Sequence, residues 1–204
     1  MMADLLDWLE TFTASPWFYL AIFSVAYLDS IFPLVPGETT VILGGIAAGQ
    51  GDLSLILVIL IGAAGAFGGD STSYWLGRTV SGPLQRRFFS SEKAQHRLKS
   101  AEHQLDKRGG LLLLTARFIP GGRTAVTLTS GITLRPYRWF ARWAIVAGLV
   151  WSTYAAGLGF VAGEQFEENK LAAFLVAISA ALGVTAVVET IRWLRGRKKE
   201  RSLD

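Results

Sequence analysis

Two arginines flank a Pro-Gly-Gly break in Arg117-Phe-Ile-Pro-Gly-Gly-Arg123, inside an otherwise apolar stretch from Gly109 to Leu134. An ionised guanidinium at membrane depth costs about 2.5–3.5 kcal/mol even on lenient insertion scales, so two beside a helix break point to a site for something anionic. A half-helix starting after Pro120-Gly121-Gly122 would aim unpaired N–H groups and its positive end at the break, and the guanidiniums would add forked donors. Arg117, Arg123, Gly121 and Gly122 are therefore candidate ligands for a phosphate or carboxylate headgroup. Acids form the complementary half: Asp29 in an apolar run and Glu38 directly after Pro36-Gly37. In a dry site they could pair with the arginines or carry protons. Asp70, in Gly68-Gly-Asp-Ser-Thr-Ser-Tyr74 about two turns before the end of its run, is a third and lesser candidate.

Each feature has a plainer reading. The arginines could form a structural ion pair that fixes a hairpin, Asp29 and Glu38 could cap helices at the outer interface, and Asp70 could snorkel from near a span end. The basic stretch 78–108 reads as a solvated helix on anionic lipid headgroups, and the basic tail as an orientation signal. Gly62, Gly65, Gly68 and Gly69 suit close helix packing.

These residues need a membrane-embedded scaffold to hold them. Of 204 residues, 51% are hydrophobic and 18% charged, and the apolar runs are too long and numerous for one soluble core. The expected fold is all-α and polytopic, with four main spans at about 17–33, 53–77, 137–162 and 170–192. Trp17, Trp75, Trp139 and Trp193 fall near run ends, as interfacial rings should, whereas Trp151 sits mid-span and does not fit. The absence of cysteine removes disulfides, thiolate catalysis and Cys-ligated metals. No cofactor or metal site is expected.

Charge sets the orientation. Residues 1–77 hold seven acidic side chains and no Lys or Arg, while all twenty basic residues lie in 78–204. By the positive-inside rule, 78–108 and the tail from Arg192 to Arg201 belong in the cytoplasm, and the acidic loop 163–170 outside. Segment 109–134 is flanked on both ends by basic residues, so it should enter and leave on one side as a re-entrant hairpin. Segment 34–50 would be a second hairpin, of opposite orientation. Pro36-Gly-Glu-Thr-Thr-Val-Ile-Leu-Gly-Gly-Ile46 can be laid over Pro120-Gly-Gly-Arg-Thr-Ala-Val-Thr-Leu-Thr-Ser-Gly-Ile132 with a two-residue insertion. Opposed similar segments are the signature of an inverted repeat. The expected organisation is an N-terminal amphipathic helix over 1–16, a membrane core over 17–165, a last transmembrane helix over 166–194 and a basic tail over 195–204.

Across roughly residues 20–165 the chain resembles the DedA family of integral membrane proteins, also called the SNARE-associated or VTT-domain family. The resemblance rests on Asp29 nine positions before the glutamate of Pro33-Leu-Val-Pro-Gly-Glu38, on Gly69-Asp70 followed by Tyr74, Gly77 and Arg78, and on Arg117-Phe-Ile-Pro-Gly-Gly-Arg123. It departs at Asp29, where relatives often carry glutamate. The resemblance implies two inverted re-entrant hairpins and lipid transport: of undecaprenyl phosphate across the cytoplasmic membrane in bacterial members, and of phospholipids by scrambling in eukaryotic relatives. It also implies that Asp29, Glu38, Arg117 and Arg123 are needed for function, with a link to the proton-motive force.

The expected partners are therefore a membrane lipid, polyprenyl phosphate or phospholipid, together with protons and anionic headgroups at the basic segments. No nucleic acid is expected, and a homo-oligomer stays open. The expected location is the bacterial cytoplasmic membrane, multi-pass, with a cytoplasmic C-terminus. A passive scramblase and a proton or small-ion exchanger stand as alternatives. A lipid phosphatase is disfavoured, because the only histidines, His96 and His103, lie in the polar basic stretch. The chain is accordingly read as a transporter and not an enzyme.

Overall fold

In the computed structural model, residues 13–32, 37–81, 92–118 and 121–166 are described, with 172, 174–180 and 183 beyond them. The N-terminal helix expected over 1–16 falls mostly outside these residues, as do Pro33 to Pro36, Ile119, Pro120, most of the run at 170–192 and the basic tail. All regular structure among the described residues is helical: α1 (Phe18–Ile31), α2 (Gly37–Gly49), α3 (Leu55–Thr79), α4 (Glu92–Arg108), α5 (Leu111–Thr115), α6 (Gly122–Ile132) and α7 (Tyr137–Gln165). A 3-10 turn, Ala116–Phe118, continues α5.

Length separates these helices into two kinds. α3, with 25 residues, and α7, with 29, are apolar and long enough to cross a membrane; at 1.5 Å per residue they extend about 37 and 43 Å, against a hydrocarbon core of about 30 Å. α1 reaches only about 21 Å, and α2 and α6 about 20 and 16 Å. The first run is thus shorter as a helix than as an apolar sequence. The cause is local: Phe32 precedes Pro33, and it adopts the extended conformation (φ −115°, ψ 101°) that a following proline imposes.

α3 is the axis of the bundle, packing against α1, α6 and α7, while α2 lies along α7. The α2–α7 contact brings backbones together: a Cβ on Gly45 would strike the carbonyl of Ala156, and one on Gly159 the carbonyl of Ile42. Small residues at a helix seam permit this approach where lipid offers no hydrophobic drive. The glycines of α3 act likewise, with Gly65 and Gly69 closed onto the backbone of Phe23 and Tyr27 in α1.

Two apolar clusters form the interior. The larger joins Ile22, Ala26, Val41, Ile42, Val58, Ala66 and Trp151. The smaller joins Tyr74, Leu113, Phe140 and Ala144, with the Tyr74 and Phe140 rings stacked at 4.7 Å. Outward faces are apolar as well: Leu57 and Leu60 on α3 and Ile145, Val146 and Val150 on α7 are exposed. A bundle apolar on both its inside and its outside suits lipid as the surrounding solvent. At the basic end, Tyr74 donates its hydroxyl to the Arg135 carbonyl and accepts from Arg78 Nη1 at 3.1 Å, and Arg135 pairs with Asp106 of α4.

Candidate functional site

Between the two clusters lies a group of charges. Asp70 stands on α3 one turn from Ala66 and one turn from Tyr74, and its residue is 1% exposed. Because α3 runs on to Thr79, Asp70 sits about 14 Å from that end. Of the two readings of Asp70, the geometry fits the ion-pair candidate and not the snorkelling carboxylate, since its charge is neutralised in place.

Both arginines converge on it. Arg117, from the 3-10 turn, donates Nη2 to Asp70 Oδ2, and Arg123, from the first turn of α6, donates Nε to Asp70 Oδ1 at 2.7 Å. Arg123 continues outward, with Nη1 on Asp29 Oδ2 at 3.2 Å and Nη2 on Ser30 Oγ and on the Ala66 carbonyl at 3.1 Å. Beneath the pair lies Trp151, its ring centre 6.0 Å from the Arg117 guanidinium carbon and 5.7 Å from that of Arg123, within the range of cation–π attraction.

The two arginines are satisfied unequally. Every nitrogen of the Arg123 guanidinium has an acceptor, but Arg117 Nε and Nη1 are buried and have no hydrogen-bond partner among the described residues, although its side chain is only 2% exposed. Buried donors of this kind cost about 1–3 kcal/mol each unless something accepts from them. Gly121, in the left-handed conformation (φ 68°), turns the chain into α6, whose N-terminus carries no side-chain cap and no acid in its first turn. That positive φ is the backbone reason a glycine is used there. Gly122 is the first helical residue beside it.

The acids of the first half divide. Asp29 joins the cluster: its carboxylate receives the Gly37 N–H at the start of α2 and touches Gly37 so closely that a Cβ there would meet it at 2.8–2.9 Å. Glu38 stands in the first turn of α2, within electrostatic reach of Asp29 and of Tyr154 on α7. Among the described residues it makes no ion pair, so of the two roles open to the acids, pairing with an arginine is taken by Asp29 and not by Glu38.

Two contributors escaped the sequence reading. Ser30 is fully buried; its hydroxyl receives Arg123 and lies 2.8 Å from the Ala26 carbonyl, and its own carbonyl accepts Ser73 Oγ at 3.3 Å and Thr124 Oγ1 at 3.4 Å. A lone serine before Ile-Phe-Pro carries no signal for this role. Trp151 did carry one, its misfit as an interfacial tryptophan. Together these residues set two cations against Asp70 and Asp29 over an aromatic ring.

This constitution, a glycine-seamed helical bundle with lipid-compatible outer faces and buried opposite charges, defines a class: an integral membrane protein with a polar site inside it. The VTT domain model matches residues 35–161. An uncharacterized membrane protein of Synechocystis is 30% identical over 185 residues, covering 88% of this chain and 85% of the relative. The inner membrane protein YohD of Escherichia coli is 30% identical over 171 residues, covering 81% and 88%. Protein DedA of Escherichia coli is 24% identical over 185 residues, covering 88% and 84%. The chain belongs to the VTT-domain family of membrane proteins, in which DedA stands. No solved structure matches it.

Proposed function

We infer that the chain carries a lipid phosphate across the cytoplasmic membrane, with the headgroup held by Arg117 and Arg123 and the tail left in lipid. A polyprenyl phosphate such as undecaprenyl phosphate is the leading substrate, in keeping with the family resemblance. One observation carries this reading: two guanidiniums meet in the buried centre of the bundle, and Arg117 keeps two donors without a partner among the described residues, beside a start of α6 with no side-chain cap. A site complete in itself would leave neither.

The topology that serves this function uses α5–α6 as one re-entrant hairpin and the segment ending in α2 as the other. Their helices, at about 20 Å or less, are too short to cross. A break in lipid must face protein or a water-filled cavity, and the ion pair between Asp29, before the first break, and Arg123, after the second, supports an inward placement. The basic segments keep the C-terminus cytoplasmic.

Charge then links transport to protons. Two arginines stand against Asp29 and Asp70, with Glu38 as a further negative group in reach of Asp29. An entering phosphate displaces Asp70 from the arginines and leaves the site with excess negative charge. Proton uptake by the acids offsets it, so headgroup and proton travel together. In vesicles holding a polyprenyl phosphate, the wild-type protein moves the lipid faster under a proton gradient, and Arg117→Ala abolishes movement. Full transport by a correctly inserted Arg117→Ala protein contradicts the reading, and transport indifferent to the gradient turns it into passive scrambling.

A further inference from the structure

The arginine pair already holds an anion of the protein's own. Asp70 gives one oxygen to each guanidinium, Oδ2 to Arg117 Nη2 and Oδ1 to Arg123 Nε. Being tethered to α3, it occupies that place at an effective concentration no free ligand matches. An incoming fatty-acid carboxylate offers the same two oxygens and the same single charge. So does a phosphodiester headgroup, with two non-bridging oxygens and one charge. Neither improves on Asp70, and each must also give up its freedom to bind.

A phosphomonoester differs in both respects. It has three terminal oxygens and, near neutral pH, more than one negative charge. Two oxygens replace those of Asp70, and the third remains for donors that the carboxylate leaves open, Arg117 Nε and Nη1 and the uncapped α6 N-terminus. Resting on the lipid-phosphate reading above, we propose that Asp70 is an internal competitor that sets the affinity a headgroup must exceed to enter, a threshold that phosphomonoester lipids pass and fatty acids and phosphodiester lipids do not. The residue is then a specificity determinant as well as a counter-ion.

The test uses three probes with one chain length, dodecyl phosphate, laurate and methyl dodecyl phosphate, in equilibrium binding to the purified full-length protein in a non-ionic detergent. The wild-type protein binds dodecyl phosphate at least about 10-fold more tightly than either of the others, the worth of one charge-assisted hydrogen bond to a buried group. In Asp70→Asn every probe gains about 10-fold or more, so laurate and the diester reach the affinity that dodecyl phosphate has for the wild-type protein. Equal affinity of the wild-type protein for all three overturns the proposal, as does an Asp70→Asn protein in which every probe weakens together. If Asp70→Asn does not fold, nitrogen-15 to carbon-13 recoupling between the arginines and Asp70 in the wild-type protein decides: the contact is lost when dodecyl phosphate binds, and a contact that survives saturation overturns the proposal. Dodecyl phosphate binding that survives Arg117→Ala removes instead the lipid-phosphate reading on which the proposal stands.

Discussion

The two glycine-led helix starts of this protein, Gly37 in α2 and Gly121-Gly122 in α6, are alike in sequence and opposite in charge. At α2 the positive end of the helix meets acids of its own half: Glu38 in the first turn, and the Asp29 carboxylate on the Gly37 N–H. At α6 the first turn carries Arg123, no acid lies in it, and no side chain caps it. Placing a cation at the positive end of a helix is unfavourable by a few tenths of a kcal/mol to about 1 kcal/mol unless an anion comes to it. The first start is electrostatically closed. The second is open to a ligand, with Asp70 as its resident substitute.

The sharpest way to break that contrast is to remove Arg123, which joins the two halves. Arg123→Ala leaves Asp70 and Asp29 facing each other without their shared cation and should destabilise the protein by about 3–5 kcal/mol, read as a large fall in thermal midpoint in detergent. A small fall means that the halves are held together elsewhere. Arg117→Ala should cost clearly less stability in the same assay while abolishing transport, because among the described residues Arg117 has one hydrogen-bond partner and two donors without one. Equal losses for the two variants would erase the distinction between structural and ligand-facing arginine.

The closed start is tested by filling it. Gly37→Ala puts a methyl group into Asp29 at 2.8 Å and should cost about 1–3 kcal/mol, with Gly121→Ala a control for backbone strain alone, since nothing lies within 4 Å of its added Cβ. Ser30→Ala removes a hydrogen bond to Arg123 and should cost about 1 kcal/mol, measured by denaturation under the same conditions. The smallest stability effect belongs to Glu38→Gln, at under about 0.5 kcal/mol, since no ion pair among the described residues holds that side chain. Its transport should lose dependence on the proton gradient. A fully gradient-driven Glu38→Gln protein assigns the proton to Asp29 or Asp70.

Much of this contrast was legible from residue types, because the cost of charge in lipid makes Arg117, Arg123 and Asp29 conspicuous wherever they occur. Their meeting was foreseeable for the same reason: buried opposite charges have nowhere else to go. The weight of Asp70 was not. Where a helix ends inside a polar boundary such as Gly77-Arg78 decides whether a carboxylate can reach water, and α3 continues past both. Glu38 shows the opposite limit, since adjacency to Pro36-Gly37 places it at the break but one residue of helical rotation decides whether it faces Arg123 or Tyr154. Trp151 was visible as an anomaly, but its explanation needed the guanidiniums of a distant segment laid over its ring. Ser30 acts through a carbonyl and a hydroxyl buried by Gly69, a contact made only when α1 and α3 pack.

The central claim is that a phosphate takes its place between Arg117 and Arg123. Nitrogen-15 to phosphorus-31 dipolar recoupling on arginine-labelled protein with bound dodecyl phosphate measures this directly. A phosphate held there gives a guanidinium-to-phosphorus separation of about 4 Å, the distance set by a charge-assisted N–H to oxygen hydrogen bond, and the signal is lost in Arg117→Ala. Saturating probe with no recoupling to any arginine, or recoupling unchanged in Arg117→Ala, would contradict the claim.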